Sequence, residues 1–283
     1  MIGFVKTLHF DYCMEIKYSV DVSWCCYTIK CIPVDNERQR ISNLKINITP
    51  ETRPEWSKDS HGNRYLFGCN EMKHSYFKFH ISGDADCGNA MYESKSSECE
   101  EMIYRHGHGL TVPGVQLKQY FQTVKSRYDY FEKLSPLDKA KLLMEELQKY
   151  MRYEKGCTDI STTAEKAFCL GKGVCQDYAH IFISLLHMSG CSARYVTGLI
   201  IGEGASHAWV EVASDGKWYG IDPTNNILVG DSHIKIAVGR DATECQINRG
   251  IMHGGGEQTQ NISVSVSEVS FGQKFIKKGA LLL

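Results

Sequence analysis

The sequence predicts an α+β fold in two parts. Short alternating strands fill the first hundred residues. A helical period takes over after a Gly/Pro-punctuated stretch, and alternation returns beyond the last helix. The chain has 283 residues, 42% hydrophobic and 23% charged, enough to bury a sizeable core without staples. The expected division is a β-rich domain over 1–107 and a second domain over 108–283.

In the first part, residues 10–18 alternate, with Tyr12, Met14, Ile16 and Tyr18 on one face. Residues 24–32, 41–48, 65–68 and 76–81 read as further strands between polar turns, a spacing that suggests a sandwich-like arrangement. After the His106 to Gly114 stretch, Tyr120, Phe121, Val124, Tyr128 and Phe131 fit one helical stripe. A second helix opens at Ser135, a good N-cap, with Pro136 in its first turn and Asp138 where a capping box wants an acid. A third runs from Cys175 to about Met188, stopped by Gly190. Strands are expected over 193–201, 207–213, 218–221, 234–238 and 261–269, a turn at His253 to Gly256, and a frayed tail over 273–283.

Lys plus Arg is 32 and Asp plus Glu is 33. That balance argues against a broad nucleic-acid surface and against a polybasic membrane anchor. No apolar run approaches the roughly 20 residues that span a bilayer, and residues 1–12 do not read as a signal peptide. The expected location is therefore the cytoplasm. The 12 cysteines are expected as reduced thiols, mostly small buried filler. Those of the first third contain no CxxC pair, so no zinc site is expected there. No cofactor and no metal are expected.

The informative stretch runs from Gly171 to His180, where two glycines precede Cys175 at the head of an amphipathic helix. A thiol attacks as thiolate, and a helix N-terminus favours that anion through its free N–H groups and dipole. The glycines would let a substrate backbone come close, and the Cys175 N–H would point where an oxyanion forms. A base is also needed. His207 begins an alternating strand, and a turn at Ser214 to Lys217 leads to a second strand ending at Asp222. An even-length hairpin loop puts His207 and Asp222 on the same face of the sheet; a three-residue loop puts them on opposite faces. On a shared face, Asp222 would accept a hydrogen bond from one imidazole nitrogen while the other faces the thiol. His180 should point away from the thiol and pack in the core, and Asp177 reads as a first-turn acid suited to the helix dipole.

Three blocks stand in order: Gly173-Val174-Cys175-Gln176-Asp177, Ser206 to Glu211, and Asp222-Pro223-Thr224-Asn225-Asn226. With them the sequence resembles the bacterial transglutaminase-like superfamily over about residues 150–255. Ser161 to Glu165 and His233 to Asp241 resemble the same subgroup. The resemblance implies a papain-like core, a Cys-bearing helix packed on an antiparallel sheet, preceded by a β-sandwich-like domain. It implies Cys175 as nucleophile, His207 as general base and acid, and Asp222 as the group that orients His207. No EF-hand type loop is present, so calcium dependence is not carried over.

The expected activity is a cysteine hydrolase (peptidase or amidase) that cleaves amide bonds of peptides or proteins through a thioester. The alternatives are a transglutaminase or deamidase using the same three residues, and a non-catalytic protein-binding module. The expected partner is a peptide or protein substrate.

Overall fold

The computed structural model describes residues 4–88, 90 and 92–269. The tail expected over 273–283 lies outside them. Five strands open the chain: β1 (Phe4–Ile29), β2 (Gln39–Thr49), β3 (Glu55–Lys58), β4 (Arg64–Asn70) and β5 (His74–Gly88). A short β6 (Ser94–Lys95) and α1 (Glu98–Ile103) lead to α2 (Val115–Ser126) and α3 (Pro136–Tyr150). Then come β7 (Arg152–Tyr153), α4 (Ala164–Leu170), β8 (Lys172–Gly173) and α5 (Cys175–Met188). The remainder is strand: β9 (Ala193–Ile200), β10 (Gly202–Gly204), β11 (His207–Ser214), β12 (Lys217–Asp222), β13 (Ile227–Leu228), β14 (His233–Gly239), β15 (Asn248–Gly254) and β16 (Gln258–Glu268).

β1 is the spine of an eight-stranded sheet. β5 and then β4 pair along one side of it, and β16 and then β15 along the other. Strict alternation explains its position: Leu8, Phe10, Tyr12, Met14 and Ile16 face the core, while His9, Asp11 and Glu15 face outward. The sequence suggests two strands here, over residues 10–18 and 24–32. Instead the strand continues through register shifts between Lys17 and Val22 and between Val22 and Trp24. There β16 gives way to β15, and Gly254, Gly255 and Gly256 make the return at φ values of 94°, 92° and 59°. Glycine populates that region without a Cβ penalty. β10, β15 and β16 come from beyond residue 200, so a cut at residue 107 does not divide the strands between two sheets.

The second sheet has the order β13-β12-β11-β9-β14, with β6 added beside β12. Lys235 and Val238 lie on its outer strand, β14, and their backbone groups are met by side chains of the first part. The Gln39 amide exchanges two 2.8 Å hydrogen bonds with Lys235, and the Asn63 amide bonds the Val238 carbonyl at 2.7 Å and accepts from its N–H at 2.8 Å. A buried ion pair between Arg38 and Glu93 lies at the same junction. One continuous apolar core runs from the inner face of β1 and β5 through the helices to the second sheet.

The helices form for local reasons. Ser135 accepts from the Asp138 N–H and donates to its carboxylate, starting α3. Gly190, at φ 79°, follows the end of α5. α2 starts at Gly114, which has no side chain to cap with. The Glu165 carboxylate supplies the acceptors from α4, taking the N–H groups of Gly114, Gln116 and Leu117 at 2.8–3.1 Å. α5 is not the amphipathic helix expected: every residue from Asp177 to Leu186 is buried. It packs against α2, α3 and α4 and against β9 and β11.

Two further departures concern cysteine and glycine. Cys26 and Cys69 sit directly opposite on β1 and β4 and are joined as a disulfide, with Cα atoms 4.1 Å apart. The expectation of reduced thiols fails at this pair, and the cytoplasmic expectation loses one of its supports. Gly198 of β9 pairs with both His207 and Lys235, and a Cβ there would run into Trp209 and the Ile234 carbonyl oxygen. Because backbone blocks one side, Gly198→Ala is expected to destabilise the fold by about 1–3 kcal/mol. Urea unfolding checks this, and an unchanged midpoint would refute the close contact.

Candidate active site

The β11–β12 hairpin sets the geometry. Ser214 pairs with Lys217 and Val210 with Ile221 across a two-residue loop of Asp215 and Gly216, at φ 49° and 70°. Positive φ at both central residues marks a turn whose twist matches the strands. Of the two loop classes, the even-length one is present, and it puts His207 and Asp222 on one face. His207 Nε2 lies 2.7 Å from Asp222 Oδ2.

Asp222 is fully buried, and its carboxylate is saturated with donors. Oδ1 accepts from the Thr224 and Asn225 N–H groups at 3.0 and 3.2 Å. Oδ2 takes the Asn225 side-chain amide at 2.7 Å and a second imidazole, His233 Nε2, at 3.2 Å. Burial would push this carboxyl up, but the hydrogen bonds from His207 and His233 and the charge of His207 hold it well below the ordinary range. Neither His233 nor Asn225 is assigned a role by the sequence reading, although Asn225 lies in the block after Asp222 and His233 opens the block that ends at Asp241, which is the available signal. His233 reaches the site through the pairing of β14 with β9. The Trp209 ring lies 6.2 Å from the His207 ring and meets His233 edge-on at 5.3 Å.

Cys175 begins α5, and its sulfur is near enough to act on the charge of the His207 imidazole. With Nε2 committed to Asp222, Nδ1 is the nitrogen left for sulfur. Burial disfavours the imidazolium, yet the hydrogen bonds and charges of Asp222 and Cys175 outweigh it and raise the His207 pKa to about 10. The structure thus brings together all three residues singled out as the site: Cys175, His207 and Asp222.

The helix start is held by Asp177. Its Oδ2 accepts from the Val174 N–H at 2.7 Å and from the Thr158 hydroxyl at 2.6 Å. The Cys175 and Gln176 N–H groups take no acceptor among the described residues, so both can point at a developing oxyanion. The two glycines serve the chain itself rather than leaving an opening for substrate. Gly171 ends α4 at φ 65°, and a Cβ on Gly173 would come within 2.5 Å of Asp177. His180 is fully buried and accepts from the Ala242 N–H at 3.1 Å; burial lowers its pKa to about 4.

His207, Asp222 and His233 are also the described residues whose ligand atoms cluster as a metal site would require, all within 4.8 Å. Two ligand atoms each about 2.0–2.2 Å from a tetrahedral zinc ion stand roughly 3.3 Å apart. The 2.7 Å separation of His207 and Asp222 is that of a direct hydrogen bond.

Residues 126–223, which contain all three site residues, match the model of the transglutaminase-like superfamily. This part of the chain is a transglutaminase-like core. An uncharacterised protein of Mycobacterium leprae is 33% identical over 128 residues, covering 42% of this chain and 46% of that protein. One from Mycobacterium tuberculosis H37Rv is 36% identical over 135 residues, covering 42% and 43%. The chain therefore matches less than half the length of these relatives. A crystal structure named "Putative Cysteine Protease from Cytophaga hutchinsonii" superposes on the transglutaminase-like core and the β sheet together. Its TM-score is 0.75 at 18% identity, covering 95% of this chain and 93% of that one. That likeness is one of fold, α+β with a papain-like core.

Proposed function

We propose that this transglutaminase-like protein is a cysteine hydrolase of amide bonds in peptides or proteins. The observation that carries the reading is the buried Asp222–His207 hydrogen bond, with Cys175 at the head of α5 near enough to raise the His207 pKa. Cys175 sulfur attacks the substrate carbonyl carbon, and the π electron pair moves to oxygen beside the Cys175 and Gln176 N–H groups. Collapse breaks the C–N bond as His207 gives its proton to the departing amine, leaving a thioester. Neutral His207 then takes a proton from water as the oxygen attacks, the acid leaves, and the thiolate–imidazolium pair is restored.

The same thioester would serve a transglutaminase if a lysine amine replaced water. Water is the simpler acceptor because it is always present and needs no site of its own. The deciding experiment incubates the protein with β-casein and a fluorescent primary amine, with Cys175→Ala as control, and reads products by intact mass. Cys175-dependent cleavage or deamidation without amine incorporation is expected. Products dominated by amine adducts or cross-links would replace hydrolysis with transfer.

A further inference from the structure

We propose that β7 is a docking edge for substrate, so that the enzyme takes its target as an extended polypeptide, with Tyr153 as the specificity-determining residue. The proposal rests on the cysteine-hydrolase reading above and names the substrate form that site accepts.

β7 and β8 form a two-stranded parallel sheet of their own, and β8 leads directly into the helix that bears Cys175. The Arg152 N–H bonds the Gly171 carbonyl at 3.0 Å, and the Glu154 N–H bonds the Gly173 carbonyl at 2.9 Å. In a parallel ladder alternate residues turn their backbone groups to opposite edges. The Tyr153 N–H and C=O therefore face away from β8, and none of the described residues takes either. An unpaired donor and acceptor on one extended residue match one residue of another extended chain.

The edge lies beside the chemistry. Tyr153 pairs with Gly173, two residues before the nucleophile. Burial pushes the pKa of its phenol up, and the Cys175 sulfur adds to that rise. On the other flank, Gln148 near the end of α3 donates to the Pro223 and Thr224 carbonyls, tying the approach to β7 to the turn after Asp222. Tyr153 is 52% exposed, an aromatic wall that a substrate side chain would cover. A small amide could reach the sulfur without using any of this.

The test uses peptidyl α-ketoamides with three alanines on each side of the electrophilic carbonyl. The Cys175 sulfur bonds to the keto carbon, and the oxygen takes the electron pair and then the His207 proton, giving a hemithioketal. Protection of Cys175 from iodoacetamide, read by peptide mapping, reports binding without turnover. The extended compound is expected to protect at a concentration at least about tenfold lower than an acetyl-alanine ketoamide of the same electrophile. N-methylation at one backbone position should abolish that gain, and at its immediate neighbours should not, as loss of a single hydrogen bond predicts. Equal protection by short and long compounds, or a gain that survives N-methylation at every position, overturns the docking edge and leaves the hydrolase reading standing. No protection by either compound overturns both.

Discussion

Replacing Cys175 by alanine is expected to lower amide hydrolysis by on the order of a millionfold, to the level that binding and oxyanion contacts sustain alone. Loss of any member of such a catalytic unit costs nearly as much as loss of the whole. The fold should survive, because Cys175 is only partly buried and packs at the rim of the core. A second readout separates the nucleophile from a packing role. Part of what raises the His207 pKa to about 10 is its hydrogen bond to Cys175 and the charge on that sulfur. Cys175→Ala should therefore shift the imidazole titration downward, as followed by NMR. In the intact protein, the rate should fall on the alkaline side as His207 loses the proton it gives to the leaving amine. A variant that keeps a tenth of the activity, or an imidazole whose titration does not move, would remove Cys175 from the centre of the mechanism.

Asp222→Asn is the second large effect, expected to lower the rate by on the order of a thousandfold to ten-thousandfold through misorientation of the imidazole. The hydrogen-bond inventory explains why an isosteric change fails. Oδ2 accepts from His207, His233 and the Asn225 side chain, while Oδ1 accepts from two backbone N–H groups. An asparagine has one oxygen and one NH2 group, so in either flip a donor meets donors. Stability should fall as well, in a pH-dependent way. Asp222 has its pKa lowered in the fold, so its contribution is present above its ordinary value of 3.8 and is lost as pH falls below that. His207 has its pKa raised, so its contribution is full below 6.5 and is lost as pH rises through about 10. The gap between native protein and Asp222→Asn should be widest between those two ordinary values. Urea unfolding at pH 5 and pH 10.5 checks this; a gap that widens at the higher pH would contradict the assigned pairing.

The parts legible from sequence are those built by short-range rules. Ser135 with Asp138 marks a helix start within four residues, and Gly190 marks a stop. The hairpin of β11 and β12 was narrowed to a parity argument because its loop is short. What could not be read depends on register between distant strands. Cys26 and Cys69 are 43 residues apart, and nothing local says that β1 and β4 align them. His233 meets Asp222 only because β14 lies beside β9. α4 is seven residues long, too short for a period to show, and its Glu165 acts on a helix start about fifty residues earlier. The buried α5 lost its polar stripe for the opposite reason: with elements packed on every side, no face remained to be polar.

The amide groups of Gln39 and Asn63 imitate a missing neighbour strand where β14 meets the rest of the molecule. A fragment beginning at residue 108 would lose both, and with them the shield over a row of hungry backbone groups. Such a fragment would be adhesive, sticking to its own copies along that edge. The opening third of the chain thus seals an open edge of the sheet on which His207 and Asp222 stand.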